Sequence, residues 1–194
     1  MDFYSIKDEV RIMGVDDGPF TRGDEDVLLV GAVFRGGLWL DGVVSTRAAV
    51  DGLDSTERLI GLAGSRFQDV RVMMTDGLAF GGFNVCDINE VAERSGLAVI
   101  AVTRDMPDFS RIRRALENTF DPKERFRLME KAGKPRRVAT RGVGSVHIQH
   151  AGISFEDARE IVRRSSTRSH LPEPIRCAHL IAQGIVSGES KGKA

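Results

Sequence analysis

The sequence predicts an α/β fold in which a mixed sheet, three antiparallel strands followed by parallel ones, is flanked by helices. Three observations carry that reading. The first fifty residues hold apolar runs separated by tight turns. Two later runs, residues 70–74 and 97–103, are short and apolar, the second continuously so, as buried parallel strands are. Around them the apolar spacing changes to i, i+3, i+4, the period of amphipathic helices.

Taken in order, residues 10–16 (Val-Arg-Ile-Met-Gly-Val-Asp) read as the first strand, ending in the turn cluster Asp16-Asp17-Gly18-Pro19. Residues 27–34 are the second strand. After the turn at 35–37, residues 38–50 return as one or two strands, with Asp41-Gly42 as a break. Asp54 or Ser55 then caps a helix with Leu59, Ile60, Leu62 and Ala63 on its apolar face, and Glu57 completes a capping box with Asp54. The strand at 70–74 follows. Residues 84–95 read as a helix with Val85, Ile88, Val91 and Ala92 inward and Gly96 as its terminator. The strand at 97–103 closes a strand–helix–strand unit, which implies a right-handed crossover.

Residues 109–120 and 121–131 are two helices, with Pro122 in the first turn of the second. Residues 133–137 form an exposed basic turn and 145–149 a peripheral strand. Ser154 caps a helix with Ala158, Ile161 and Val162 inward, and a last helix runs from Pro172 and Pro174 to about residue 186. Residues 188–194 are a flexible tail. With no repeat or linker, residues 1–187 are expected to form a single domain.

Composition narrows the function classes. The 28 basic and 28 acidic residues cancel, so no global charge announces a nucleic-acid partner, although a local patch would suffice. Cys86 and Cys177 match no metal-ligand spacing and read as reduced thiols. The N-terminus is too charged for a signal peptide, and no apolar run approaches the roughly 20 residues of a membrane span. A soluble cytoplasmic protein without a membrane partner is expected. Its oligomeric state is not written in the sequence.

The order of elements is that of a ribonuclease H-like domain. Asp16, Asp51 and Asp76 follow the first, third and fourth strands. If those strands are neighbours, three carboxylates meet at one sheet edge, where open α/β sheets bind ligands. Hard cations such as Mg²⁺, or Mn²⁺ in its place, take oxygen ligands of this kind. Each acid also has a plain structural role available: Asp76 as a cap, Asp51-Gly52 as a turn, Asp54 as a helix cap, and Asp87 and Asp105 as surface residues. Phe80 and Phe83 either stack on a base or pack on the sheet. Arg111, Arg113, Arg114, Lys134, Arg136 and Arg137 either follow a phosphate chain or form solvated faces. His170 and His179 read as structural.

Four blocks carry a resemblance: residues 14–20 (Gly-Val-Asp-Asp-Gly-Pro-Phe), 50–56 (Val-Asp-Gly-Leu-Asp-Ser-Thr), 76–84 (Asp-Gly-Leu-Ala-Phe-Gly-Gly-Phe-Asn) and 171–179 (Leu-Pro-Glu-Pro-Ile-Arg-Cys-Ala-His). On them the chain resembles an archaeal family labelled endonuclease dU, a relative of endonuclease V. The resemblance implies a ribonuclease H-like, Mg²⁺-dependent endonuclease that cuts DNA, with RNA as an alternative, near deaminated bases, uracil first and hypoxanthine second. It carries the catalytic acids to Asp16, Asp51 and Asp76 as metal ligands and the relatives' lysine to Arg104. It gives Leu171 to Pro174 a role in positioning the last helix. A histidine of endonuclease V falls on His150 only by a shifted alignment. Its Pro-Tyr-Ile-Pro wedge has no counterpart, the nearest segment being Arg22-Gly-Asp-Glu-Asp26. A non-catalytic nucleic-acid-binding or repair-scaffold protein is the alternative, and a small-molecule phosphohydrolase the third.

Overall fold

The structure, a computed structural model, describes residues 6–21, 23–140 and 144–191. The first five residues of the charged N-terminus, Arg22 and the last three residues of the expected tail lie outside the described residues. β1 (Arg11–Asp17), β2 (Asp26–Arg35) and β3 (Trp39–Ala49) form an antiparallel meander. The stretch that could have been one or two strands is one. A register shift opposite Val33/Phe34 absorbs Asp41 without ending the strand, as a bulge does.

Next come α1 (Ser55–Ala63), β4 (Val72–Asp76), a small hairpin of β5 (Ala79–Phe80) and β6 (Asn84–Val85), α2 (Ile88–Ser95) and β7 (Ala98–Thr103). The chain then forms α3 (Phe109–Leu116), α4 (Pro122–Lys131), β8 (Arg136–Ala139), β9 (Ser145–Ala151), α5 (Phe155–Ser165) and α6 (Glu173–Ser187). The sheet order is β3-β2-β1-β4-β7-β9-β8. β4 runs parallel to β1 and β7, whereas β9 is antiparallel to β7 and β8. This is the ribonuclease H-like mixed sheet flanked by helices. Among the described residues no helix is long and apolar enough to cross a membrane.

Strand alternation sorts the core into two faces. Met13, Val15, Met73, Val99 and Ala101 pack with Leu59, Ile88, Val91, Leu116 and Met129 from α1 to α4. Ile12, Val72, Met74, Ile100 and Val102 pack with Ile161, Val162 and Ile175 from α5 and α6. Gly14 lets α6 settle directly on β1, because a Cβ there would fall 2.1 Å from the Pro174 carbonyl carbon. Both partners are backbone, so neither can yield. Gly14→Ala is therefore expected to cost about 2–3 kcal/mol, or to prevent folding. A urea midpoint unchanged from wild type would overturn that account of the α6 seat.

Four local expectations are corrected. Residues 84–85 are not the first turn of α2. Asn84 is buried, its Oδ1 accepting from Ser55 N at 3.0 Å and its Nδ2 donating to Ala49 O at 2.8 Å and to Asp54 Oδ1 at 2.7 Å. The helix starts after Asp87 instead, whose carboxylate accepts from Asn89 N and Glu90 N. At α1 there is no capping box: Asn84 has taken the Ser55 N–H, Asp54 makes no cap bond, and Glu57 faces Arg94. The basic stretch 133–137 is not all turn, since Arg136–Ala139 pairs with β9 as a charged edge strand. That pairing makes β9 an interior strand, not a peripheral one.

Asp87 is nearly buried and also binds Lys131. Burial is the strongest single influence and pushes its pKa up, but the Lys131 hydrogen bond and the two helix N–H groups outweigh it and hold the carboxyl below its ordinary value. A carboxyl lowered on folding stabilises fully above its unfolded pKa of roughly 4, and that stability is lost as pH falls through the lower folded value. Asp87→Asn is thus expected to cost about 1 kcal/mol at pH 7 and progressively less in acid. Denaturant curves across pH check it; a pH-independent difference would sink it.

Candidate active site

Asp16, the penultimate residue of β1, and Asp76, the last of β4, lie at the ends of two adjacent parallel strands. Val15 of β1 lies opposite Thr75 of β4, so the next residue on each strand is an aspartate, and alternation turns both toward α6. α6 brings His179 to them from the far end of the chain. Its Nδ1 lies 2.9 Å from Asp16 Oδ2, while Asp16 Oδ1 accepts from Asp17 N at 2.8 Å. The bond to Asp16 raises the His179 pKa, against the opposing pull of partial burial. Asp76 is pushed up to about 7, first by burial and then by the nearby Asp16 charge, with Arg104 pulling the other way. Arg104 itself is exposed, just past the end of β7.

Asp17 turns to the opposite face, where its Oδ2 accepts from Gly81 N at 2.6 Å. Burial pushes its pKa up to about 6, the Gly81 bond opposing. Gly81 also ties down Asp51, whose N–H donates to Gly81 O at 2.8 Å. Asp51 sits at φ 51°, and its Oδ1 accepts from Phe83 N at 2.8 Å. Gly82, at φ 88°, sits in the left-handed region that favours glycine, and a Cβ there would also fall 2.4 Å from that Oδ1. Arg125, buried in α4, clamps the same turns by donating to the carbonyls of Asp51, Gly52, Phe83 and Phe120.

Of the four residues read as catalytic, Asp16, Asp76 and Arg104 thus act on one another, and Asp51 is engaged in the glycine turn. Among the described residues no three His, Cys, Asp or Glu side chains are gathered closely enough to hold a metal ion. His150 is not at this edge. It pairs with Ile100, two residues short of the Val102 that faces Asp76, and its Nδ1 lies 3.0 Å from Ile153 O.

From the sequence His179 reads as structural and Asp17 only as part of the turn cluster that follows the first strand. One signal was available: Ile175, Ala178, His179 and Ala182 fall on a single i, i+3, i+4, i+7 stripe, so His179 interrupts the inward face of the last helix. The Leu-Pro-Glu-Pro block does seat that helix. Leu171, Pro172, Glu173 and Pro174 are buried, with Glu173 paired to Arg176.

The donor chemistry nevertheless fits a hard dication. Two carboxylates, one buried and one half-buried, share an edge and repel one another, and Mg²⁺ commonly binds through one or two carboxylates with water completing its shell. A cation between Asp16 and Asp76 would relieve the repulsion that raises Asp76.

On the side of Gly77 away from that pair, a cavity of about 240 Å³ is walled by Leu78, Phe83, Phe109, Ile112 and Met129, with Thr103 and Gln149 as polar lining. Gly77, at φ 73°, carries the chain from the carboxylate into the cavity wall. Phe83 therefore lines the cavity, whereas Phe80 is core.

The class the fold defines is a ribonuclease H-like sheet with carboxylates, Asp16 buried and Asp76 half-buried, at the ends of its central strands. The chain belongs to the Endonuclease dU family, whose sequence model matches residues 8–186. It is 57% identical over 196 residues to the UPF0215 protein of Methanothermobacter thermautotrophicus, covering 99% of this chain and 95% of that one. The crystal structure of a protein from Archaeoglobus fulgidus superposes with a TM-score of 0.82 at 32% identity, covering 91% of this chain and 98% of that one. Endonuclease V of Ciona intestinalis, in complex with a 24mer DNA containing an inosine followed by a ribo-adenosine, superposes with a TM-score of 0.62 at 13% identity, covering 92% and 87%. At that identity the likeness is one of fold.

Proposed function

We propose that this protein is a divalent-metal-dependent endonuclease that cuts DNA beside deaminated bases, with uracil the first lesion and hypoxanthine the second. The observation that carries the reading is that Gly77, the residue directly after Asp76 at the end of β4, lines the Phe83 cavity. Drug-sized ligands take roughly 300–1,000 Å³, so a cavity of about 240 Å³ suits a single base. Its walls are aromatic and aliphatic, as a pocket for an unstacked base requires.

Asp16 and Asp76 would hold Mg²⁺ or Mn²⁺. Once bound, the ion supplies Lewis-acid neutralisation of the phosphodiester charge. His179 fixes the Asp16 carboxylate through Nδ1. Arg104, free in solvent beside Asp76, meets the phosphate. Asp51 shapes the Gly81–Phe83 turn that forms one cavity wall, and Gly77 lets the backbone approach the base closely.

The test is strand nicking on short labelled duplexes carrying uracil, hypoxanthine or no lesion at one position, with Mg²⁺, Mn²⁺ or chelator. Lesion-dependent, chelator-sensitive cutting is expected, strongest at uracil. Intact strands under every condition would overturn the nuclease reading. Binding without cutting would favour a scaffold, and phosphate release from free nucleotides a small-molecule hydrolase.

A further inference from the structure

We propose that α3 and α4 form a platform for single-stranded nucleic acid, with Arg113 and Arg114 holding the phosphates that flank the base in the Phe83 cavity. The inference rests on the nuclease reading above and extends it to how the flanking strand is held.

α3 is a partition. Phe109 and Ile112 face the cavity and Leu116 is buried, whereas Arg113 and Arg114 face outward. On that outer side lies a groove of about 480 Å³ lined by Phe109, Ser110, Arg113, Arg114 and Phe126. Phe109 lines both spaces, so cavity and groove share a wall. A strand whose base enters the cavity leads its neighbouring nucleotides along that wall.

The groove's chemistry suits such a strand. The Arg113 guanidinium stacks 4.2 Å above the Phe126 ring, and Phe126 meets Phe109 edge-on at 6.5 Å. A cationic plane resting on an aromatic floor offers phosphate contact and stacking together, the combination that single-strand sites use. Arg113 has only a 4.0 Å contact with the exposed Glu130, worth little in water. Arg114 makes no ion pair among the described residues. By contrast Arg94 is matched by Glu57 and Glu90, Arg127 by Glu124, and Arg163 by Glu160, whereas α3 itself carries Arg111, Arg113 and Arg114 and no acid. The overall balance of charge thus conceals a local excess on α3.

The other half of the basic stretch is employed differently. On the outer strand β8, Arg136 stacks over Phe155 at 3.2 Å, and Arg137 donates to the Oγ of Ser145 on the neighbouring β9. It is not part of the platform.

The test is fluorescence anisotropy with a short labelled oligodeoxythymidylate over a range of salt, alongside the nicking assay. The Arg113→Ala/Arg114→Ala double variant should bind at least ten-fold more weakly at low salt. Its log–log salt slope should be shallower by about 1.4, at roughly 0.7 per lost phosphate contact on a single strand. Arg113→Lys/Arg114→Lys should keep the slope, and Arg163→Ala on α5 should match wild type in both. If wild type binds and nicks but the double variant keeps its affinity and slope, the platform is wrong and the nuclease reading stands. If wild type neither binds nor nicks, both fall together.

Discussion

Asp76→Asn is expected to lower cleavage of a lesion-bearing strand about a thousand-fold, equal to roughly 4 kcal/mol of transition-state stabilisation. The amide keeps the shape of the side chain at the end of β4 but cannot supply a charged oxygen to a cation. Binding should survive, because removing a negative charge beside a phosphate chain weakens repulsion. Stability should move the other way. Burial and Asp16 raise the folded-state pKa of Asp76 to about 7, above an unfolded value of roughly 4. A carboxyl raised on folding leaves stability untouched while both states are protonated. It erodes stability as pH rises from the unfolded to the folded value. The variant should therefore unfold at higher urea than wild type at pH 7, and the gain should vanish near pH 4. A variant that cuts like wild type would remove Asp76 from the chemistry. One that cuts poorly but is no more stable would contradict the crowded pair of carboxylates.

His179→Ala should weaken Mg²⁺ or Mn²⁺ binding by about 10- to 100-fold, the usual cost of losing a group that orients a ligand. His179 holds Asp16 Oδ2 at 2.9 Å. Without it, nothing from α6 fixes that oxygen, and the carboxylate is free to turn toward water. Titration calorimetry reads the metal affinity directly. The loss should appear there before any effect on DNA binding, and His179→Gln, which retains a donor, should recover part of it. Unchanged metal affinity in His179→Ala would make the residue a packing histidine, as the sequence alone suggested.

These two residues mark where local pattern stops being informative. Asp76 was legible because a short apolar run ending in Asp-Gly specifies a buried strand with an acid at its end. Asp16 was legible for the same reason. Both depend on residues next to them in the chain, whereas Arg104 came only from the resemblance, which carries the relatives' lysine to it.

The pairing of acids depended on register. Asp16 and Asp76 meet because Val15 lies opposite Thr75 across parallel strands, a fact of hydrogen bonding between segments some sixty positions apart. Asp51 shares the strand-end signature, yet its chain turns at φ 51° and its carboxylate goes to Phe83 N. Asn84 shows the same limit. Its spacing fits a helix, but its amide is drawn to Ser55, Ala49 and Asp54.

By itself, then, the sequence determined the order of strands and helices, the ribonuclease H-like class and the acids at strand ends, because periodicity and turn chemistry are local. Only the tertiary structure decided which of those acids share an edge, that a histidine 163 residues from Asp16 joins them, and that a cavity of about 240 Å³ opens against Gly77. Those outcomes depend on strand register and on the seating of α6 over Gly14, which are set by contacts between segments distant in the chain.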